Sequence, residues 1–300
     1  MAILLVKPIR MEYIWGFERW CVSAHRNADC EVLNEKYGGQ TLSDLWKNNR
    51  ELFGNVTGKE YPLLTKIIEA RDNLSVQVHP NDAYAARHEN GASGKYECWY
   101  VLDCKKDAKI IIGHNAKNRE MLEHMIRNGE WGKLLREIPI KKGDFFQIDA
   151  GVVHAIEGGT TILETQQNSD ITYRVYDYDR LVDGKPRQLH LEKSIACITS
   201  PFTPAKNDSY IEKVPGGIRT ELIKNAYYSI EKYDVYSKIE MNENSVFSVI
   251  SVTEGEGIID RTPVSAGMNL IVTANSGKLN CEGKFSAIRA TPAANKVLVK

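Results

Sequence analysis

The chain has no surplus of either charge: Lys plus Arg number 39, Asp plus Glu number 39, and the formal net charge is zero. That absence removes the broad basic field with which proteins collect DNA, RNA or anionic lipid, so any anionic ligand must be met by local charges. Cysteine is sparse. Cys21, Cys30, Cys98, Cys104, Cys197 and Cys281 form no CxxC pair and no dense framework, a pattern of reduced, packed thiols that fits the cytoplasm. Long apolar runs are missing too. Residues 1–6 are apolar but stop at Lys7-Pro8, far short of a signal peptide or a membrane span, so neither export nor membrane insertion is expected. No histidine follows His190, which excludes an independent histidine-based metal site in the C-terminal region. Low-complexity tracts and strong repeats are also lacking. What remains is 300 residues, 42% hydrophobic and 26% charged, the composition of a globular chain with room for two domains.

Helix signals are few and short. Thr41-Leu-Ser-Asp44 opens a helix over 42–52 with a capping-box pattern, 82–88 forms a second, and 118–135 a third, with Met121, Leu122, Met125 and Ile126 at helical spacing. Strand-length runs separated by turn residues dominate: 63–70, 74–79, 97–102, 109–112, 145–148 and 161–165. Asp72-Asn73 and Gly158-Gly159 suit hairpins. A mainly β antiparallel sandwich or jelly roll follows. After the Pro-rich stretch 201–204 and the turn Pro215-Gly216-Gly217, further runs at 227–233, 247–252, 269–273 and 285–290 describe a smaller barrel of the same kind. The expected division is a catalytic, metal-binding domain over 1–215, with helical insertions, and a small β-barrel without metal ligands over 216–300.

The run LSVQVHP carries the first chemical signal. As a strand it places Leu74, Val76 and Val78 on one face and Ser75, Gln77 and His79 on the other. A solvated strand face would account for that alternation as well as a site does. In GKYECWYVL, Lys95, Glu97 and Trp99 share a face, either as an exposed edge or with Glu97 turned to an ion beside His79; Cys98 falls on the opposite face. A third element, Gly143 to His154, has the spacing G-x5-D-x-G-x2-H and resembles the second metal-binding motif of the cupin superfamily, with Asp149 where proline is usual. Gln77, His79, Glu97 and His154 together offer two imidazoles, a carboxylate and an amide oxygen. That set suits zinc, while two histidines and a carboxylate also suit non-haem iron.

The segment ETQQNSDITYRVYDYDR, from Glu164 to Arg180, is dense in acids, amides and arginines where a strand core should be apolar. Burying such groups without partners is costly, so they are either exposed or converge on a ligand and on one another. Together with SVQVHP, GKYE and AGVVHAI, this segment closely resembles the type I mannose-6-phosphate isomerases, zinc-dependent members of the cupin superfamily. The resemblance spans about the first two thirds of the chain, starting with Pro8 and Trp15-Gly16 and continuing past Ser23-Ala24-His25 to the segment ending at Arg180. The family's Gly-Glu-x-Trp step is replaced by Phe17-Glu18-Arg19-Trp20, and the C-terminal region matches in fold type and length alone.

The resemblance implies two cupin-type jelly-roll barrels, one Zn2+ per chain held by Gln77, His79, Glu97 and His154, and a catalytic Arg174. It places Ser75 and Lys95 in the substrate pocket and Glu164 and Asp170 as acids near the arginine, either of which is a candidate base. The implied reaction interconverts mannose 6-phosphate and fructose 6-phosphate through an enediol-type intermediate. The partner is a phosphosugar, with no nucleic acid or membrane, and the oligomeric state is not readable. A non-catalytic sugar-binding or regulatory cupin would keep the pocket without turnover. An iron-dependent cupin oxygenase would use the same triad but leaves Arg174 and Lys95 without a task. His25, His88, His114, His124 and His190 are expected to be surface, packing or capping residues.

Overall fold

A computed structural model of the chain describes residues 3–205, 209–242 and 245–293. It is mainly strand with a few short helices. The chain forms two compact units that are not contiguous in sequence: Met1–Ile9, Trp20–Thr65 and Asn207–Lys300 make one, Arg10–Arg19 and Lys66–Lys206 the other. This partition differs from a single cut at residue 215. The reason is strand pairing across the length of the chain, since Ile3–Leu5 lies antiparallel against Asn269–Val272.

Two sheets frame the conspicuous residues. One runs in the order Leu135–Pro139, Lys109–His114, His154–Ile156, Val76–Val78, Tyr173–Tyr176. The other runs Phe145–Ile148, Glu97–Cys104, Thr160–Gln167, Leu63–Ala70, Gly16–Val22, Ile9–Tyr13. Leu63–Ala70 and Val76–Val78 therefore belong to different sheets, as do His154–Ile156 and Thr160–Gln167. The hairpins expected at Asp72-Asn73 and Gly158-Gly159 are crossovers between sheets. The two turns are fastened to each other and to a strand end: Gly158 N donates to Asn73 Oδ1 at 2.8 Å and Gly159 N to the Ala70 carbonyl at 2.7 Å. Turn residues specify a change of direction but not which strand the returning segment will pair with.

The apolar side of the 74–79 run is covered. Val76, Val78, Ala155, Tyr173 and Val175 pack with Leu122, Met125 and Ile126 of the helix Arg119–Arg127 and with Ile195 of the helix Leu191–Cys197. Trp99, Val101, Ile110, Ile112, Ile156 and Ile162 form a separate cluster. The Thr41–Asp44 capping box is formed in both directions at the start of Leu42–Asn48, and Asp82–His88 has the expected bounds. The third helix is interrupted at Asn128-Gly129, where Gly129 takes a left-handed φ of +67°, and only a short turn, Trp131–Leu134, follows. Leu191–Cys197 is too short to show a periodicity in the sequence.

The other unit is built on a nine-stranded sheet whose main path runs from Ile3–Leu5 through Asn269–Val272, Ser248–Ile259, Leu279–Pro292, Tyr228–Val235 and Gly217–Lys224 to Tyr210–Val214. Ile250, Val252, Leu270, Leu279, Phe285 and Ala287 fill its core. Among its described residues His25 is the only histidine.

Candidate active site

His79, Glu97 and His154 meet. Their ligand atoms lie within 4.8 Å of one another and all three residues are buried. They come from three places: the exit of Val76–Val78, the first residue of Glu97–Cys104 and the first of His154–Ile156. Two glycines make the approach possible. A Cβ on Gly94 would come within 2.4 Å of the Asp82 backbone, so only glycine lets the GKYE turn pack on the segment after His79, where Lys95 N donates to the Pro80 carbonyl at 3.0 Å. Gly151, at φ +87°, donates its N–H to the His79 carbonyl at 2.9 Å. Asp149 keeps the turn that proline would have set: its carbonyl accepts from Val152 N at 3.1 Å and its carboxylate from Gln147 at 2.9 Å.

Both imidazoles are aimed by their outer nitrogens. His79 Nδ1 lies 2.8 Å from the Ile171 carbonyl and His154 Nδ1 2.9 Å from that of Val152. A carbonyl can only accept, so each Nδ1 carries the proton and each Nε2 keeps its lone pair. The Nε2 atoms stand 3.4 and 3.5 Å from the two Glu97 oxygens. His154 Nε2 and both Glu97 oxygens are buried without a hydrogen-bond partner, although the Lys95 ammonium is 2.7 Å from Glu97 Oε2 as an ion pair. Unpartnered buried donors and acceptors are rare. Lone pairs converging in this way fit a divalent ion of borderline softness.

The charge states agree. Burial, and then the Lys95 charge, push His79 down to about 3, and burial also lowers His154. Burial alone would raise Glu97, but Lys95, His79 and His154 outweigh it and hold the carboxyl well below its usual range. In the metal-free protein an unfolded His79 takes up a proton below about 6.5 while the folded one does not. Stability is therefore lost as the pH falls from 6.5 towards 3, with a slope of roughly 1.4 kcal/mol per pH unit from this one group, and loss of the Glu97 contribution adds in the same direction. The thermal midpoint of the chelated protein is expected to drop continuously from pH 7 to pH 4. A flat profile would show that these groups titrate alike folded and unfolded.

Sheet register supplies the next residues. Gln77 lies opposite His154 on one side and Arg174 on the other, so all three side chains project from one face. The register slips between Arg174 and Tyr176, a bulge of the kind that re-aims a side chain. Arg174 is half-buried, its Nε has no hydrogen-bond partner, and its Nη1 donates to the Gln188 carbonyl at 2.8 Å. Ser75 is buried one step before the strand. Lys95 is buried with its ammonium 3.1 Å from His79 Nε2. Asp170 is half-buried beside Ile171, the residue that orients His79. Cys98 turns away, as expected, its Sγ 3.5 Å from the Thr165 carbonyl.

Glu164 stands opposite Trp99, and Gln166 opposite Glu97, in the pairing of Thr160–Gln167 with Glu97–Cys104. Glu164 Oε2 accepts from Trp99 Nε1 at 3.0 Å. Burial and the nearby Glu97 charge raise its pKa, against Lys95 and Lys66. Lys66 had escaped the sequence analysis. It is buried with its ammonium 3.5 Å from Glu164 and 3.4 Å from Glu18. Burial alone would discharge it, but the carboxylates of Glu18, Glu164 and Glu97 outweigh that and raise its pKa. A lysine in the middle of LLTKIIEA was the available signal. Tyr13, 39% exposed, stacks on Trp15 at 4.8 Å, and partial desolvation with the carboxylates of Glu18 and Asp170 pushes its phenol up.

A family model described as phosphomannose isomerase type I, catalytic domain, matches residues 12–109, and one described as mannose-6-phosphate isomerase, cupin domain, matches residues 218–292. Mannose-6-phosphate isomerase ManA of Bacillus subtilis (strain 168) is 45% identical over 306 residues, covering 95% of this chain and 97% of that protein. The chain belongs to the type I mannose-6-phosphate isomerase family. Mannose-6-phosphate isomerase of Streptococcus mutans is also 45% identical, over 81% of this chain and 76% of that one. The crystal structure of mannose 6-phosphate isomerase from Bacillus subtilis superposes with a TM-score of 0.94 at 38% identity, covering 97% and 99% of the two chains. Cupin-type architecture is thereby shown for this family member. Likeness of sequence, and not of fold type alone, extends into the C-terminal region.

Proposed function

We propose that the chain interconverts mannose 6-phosphate and fructose 6-phosphate as a metal-dependent aldose-ketose isomerase. The observation that carries this is the buried His79–Glu97–His154 cluster beside a carboxyl group, Glu164, whose pKa is raised, in a chain so similar to named isomerases along nearly its whole length. The metal would be Zn2+, one per chain, and the residues that would hold it are His79 and His154 through Nε2, Glu97, and Gln77 through its amide oxygen. When bound it acts as a Lewis acid on the sugar's carbonyl and neighbouring hydroxyl oxygens.

The protein's own groups do the rest. Glu164 takes the proton from C2 of the aldose and returns it to C1 of the ketose, with an enediol-type intermediate between the two transfers. Its raised pKa suits it to both. Lys66, placed between Glu18 and Glu164, keeps a positive charge beside the base. Arg174 and Lys95 meet negative charge on the substrate or intermediate, and Ser75 lines the pocket. Asp170 acts indirectly, on the loop that aims His79. Lys95 Nζ stands 3.1 Å from His79 Nε2 and 2.7 Å from Glu97 Oε2, atoms that a metal ion would take, which would leave the ammonium to the substrate. Six free cysteines and a phosphorylated sugar as substrate favour a cytoplasmic setting; no described helix is long and apolar enough to cross a membrane.

Turnover of mannose 6-phosphate, followed by coupling fructose 6-phosphate to a dehydrogenase, is expected to disappear on exhaustive chelation and to return with about one equivalent of zinc. Full activity in metal-free protein would end this reading, and recovery with iron alone would change the metal.

A further inference from the structure

Tyr173–Tyr176, the strand that carries Arg174, is the terminal strand of its sheet, and it is irregular just after the arginine. An edge strand leaves main-chain groups unpaired. At Arg174 those groups are met by one residue: His190 N donates to the Arg174 carbonyl at 2.8 Å, and Arg174 N donates to His190 Nδ1 at 3.1 Å. A ring nitrogen thus supplies the acceptor that a neighbouring strand's carbonyl would otherwise provide. Two residues earlier, the Gln188 carbonyl accepts from the Arg174 guanidinium at 2.8 Å.

We propose that His190 is a positioning residue for Arg174, closing the open edge of the strand so that the arginine's main chain is fixed while its side chain serves the pocket. The proposal rests on the role assigned to Arg174 above. His190 is itself anchored. It leads into the helix Leu191–Cys197, whose Ile195 packs with Tyr173 and Val175. Lys193 of that helix shares the Glu89 carboxylate with the Tyr173 hydroxyl, at 2.6 Å in each case. The acceptor role requires an unprotonated Nδ1. Burial lowers the His190 pKa, Arg174 and Lys193 lower it further, and Glu89 opposes them; the Tyr173 ring is the other titratable neighbour, at 6.1 Å. Acidification turns the acceptor into a donor facing the Arg174 N–H.

The test compares His190→Ala, His190→Asn and Arg174→Ala in the zinc-loaded enzyme. Asparagine keeps an acceptor close to the position of Nδ1 and does not titrate. His190→Ala is expected to lose turnover by about 10- to 100-fold, the scale of a displaced catalytic group, with zinc content unchanged and the main effect on kcat rather than KM. His190→Asn is expected to recover to within about threefold of wild type and to hold its rate to lower pH. Hydrogen exchange at the Arg174 amide should be slow in wild type and in His190→Asn but fast in His190→Ala. The inference is overturned if His190→Ala matches wild type, if asparagine is as damaging as alanine, or if Arg174→Ala retains full turnover. Absence of turnover in the wild type would instead strike at the proposed function, and amide exchange alone would then decide whether His190 holds the strand.

Discussion

His154→Ala is expected to abolish zinc retention and lower turnover by at least about a hundredfold. The imidazole is fully buried and its Nε2 has no partner among the described residues other than the space shared with Glu97 and His79. Loss of a hydrogen-bond partner behind a ligand typically costs about 10- to 100-fold in metal affinity or activity, and loss of the ligand itself removes one of the few groups holding the ion. Metal content by plasma emission and turnover by coupled assay measure the two effects separately. The buried imidazole meets the rings of His79, at 4.7 Å, and Trp99, at 5.4 Å, and its Nδ1 donates to the Val152 carbonyl at 2.9 Å, so the metal-free variant should unfold below the metal-free wild type, by about 1–3 kcal/mol for the cavity and the lost hydrogen bond. A variant that keeps both its zinc and its rate would remove His154 from the site.

Glu164→Gln is expected to reduce kcat by about 10²- to 10⁴-fold, the range for removal of a general acid or base, with zinc content unchanged. Glutamine preserves the volume and an acceptor for Trp99 Nε1, and Lys66 retains Glu18. In the wild type, proton abstraction needs the carboxylate. Because burial and the Glu97 charge raise the Glu164 pKa, the rate should fall as the pH is lowered through a value above the ordinary 4.5, and the isosteric variant should lose that part of the fall and keep only the part due to His190. Exchange of solvent deuterium into the sugar at C1 or C2, read by NMR, isolates the proton transfer from later steps. An unimpaired exchange rate would transfer the role to another carboxylate, Asp170 being next in line.

Both predictions rest on residues visible in the sequence, and the reason lies in the range of the forces involved. The capping box at Thr41 and Asp44 acts over three residues and formed as written. Alternation of Val76, Gln77 and Val78 is set by the pleat of a single strand, and the turn glycine in AGVVH by one φ angle. Motif spacing picked out His79, Glu97 and His154, whose ligand atoms the fold gathers within 4.8 Å, without any knowledge of pairing. Reading failed where the decision was made at a distance. Asp72-Asn73 and Gly158-Gly159 looked like hairpins because a turn does not record which sheet receives the next strand. The interval 118–135 looked like one helix because its apolar spacing survives the break at Gly129.

Lys66 and His190 show the same limit from the functional side. Nothing near Lys66 in sequence reveals that Glu18 and Glu164 flank it, and a lone lysine in a strand has no meaning until its partners are known. His190, expected as a surface, packing or capping residue, does stand at the N-cap of Leu191–Cys197, but that it also meets both main-chain groups of Arg174 is visible only at the edge of Tyr173–Tyr176. By itself, then, the sequence determined the β-rich class, the absence of a charge field, the metal-binding residue types and the family, all of which follow from composition or short motifs. The tertiary structure alone decided that the polar face of the 74–79 run lies on a buried site rather than in solvent. It also decided which carboxylate is raised and which is held down, because burial and charge pairing depend on residues that the sheets bring together from remote parts of the chain.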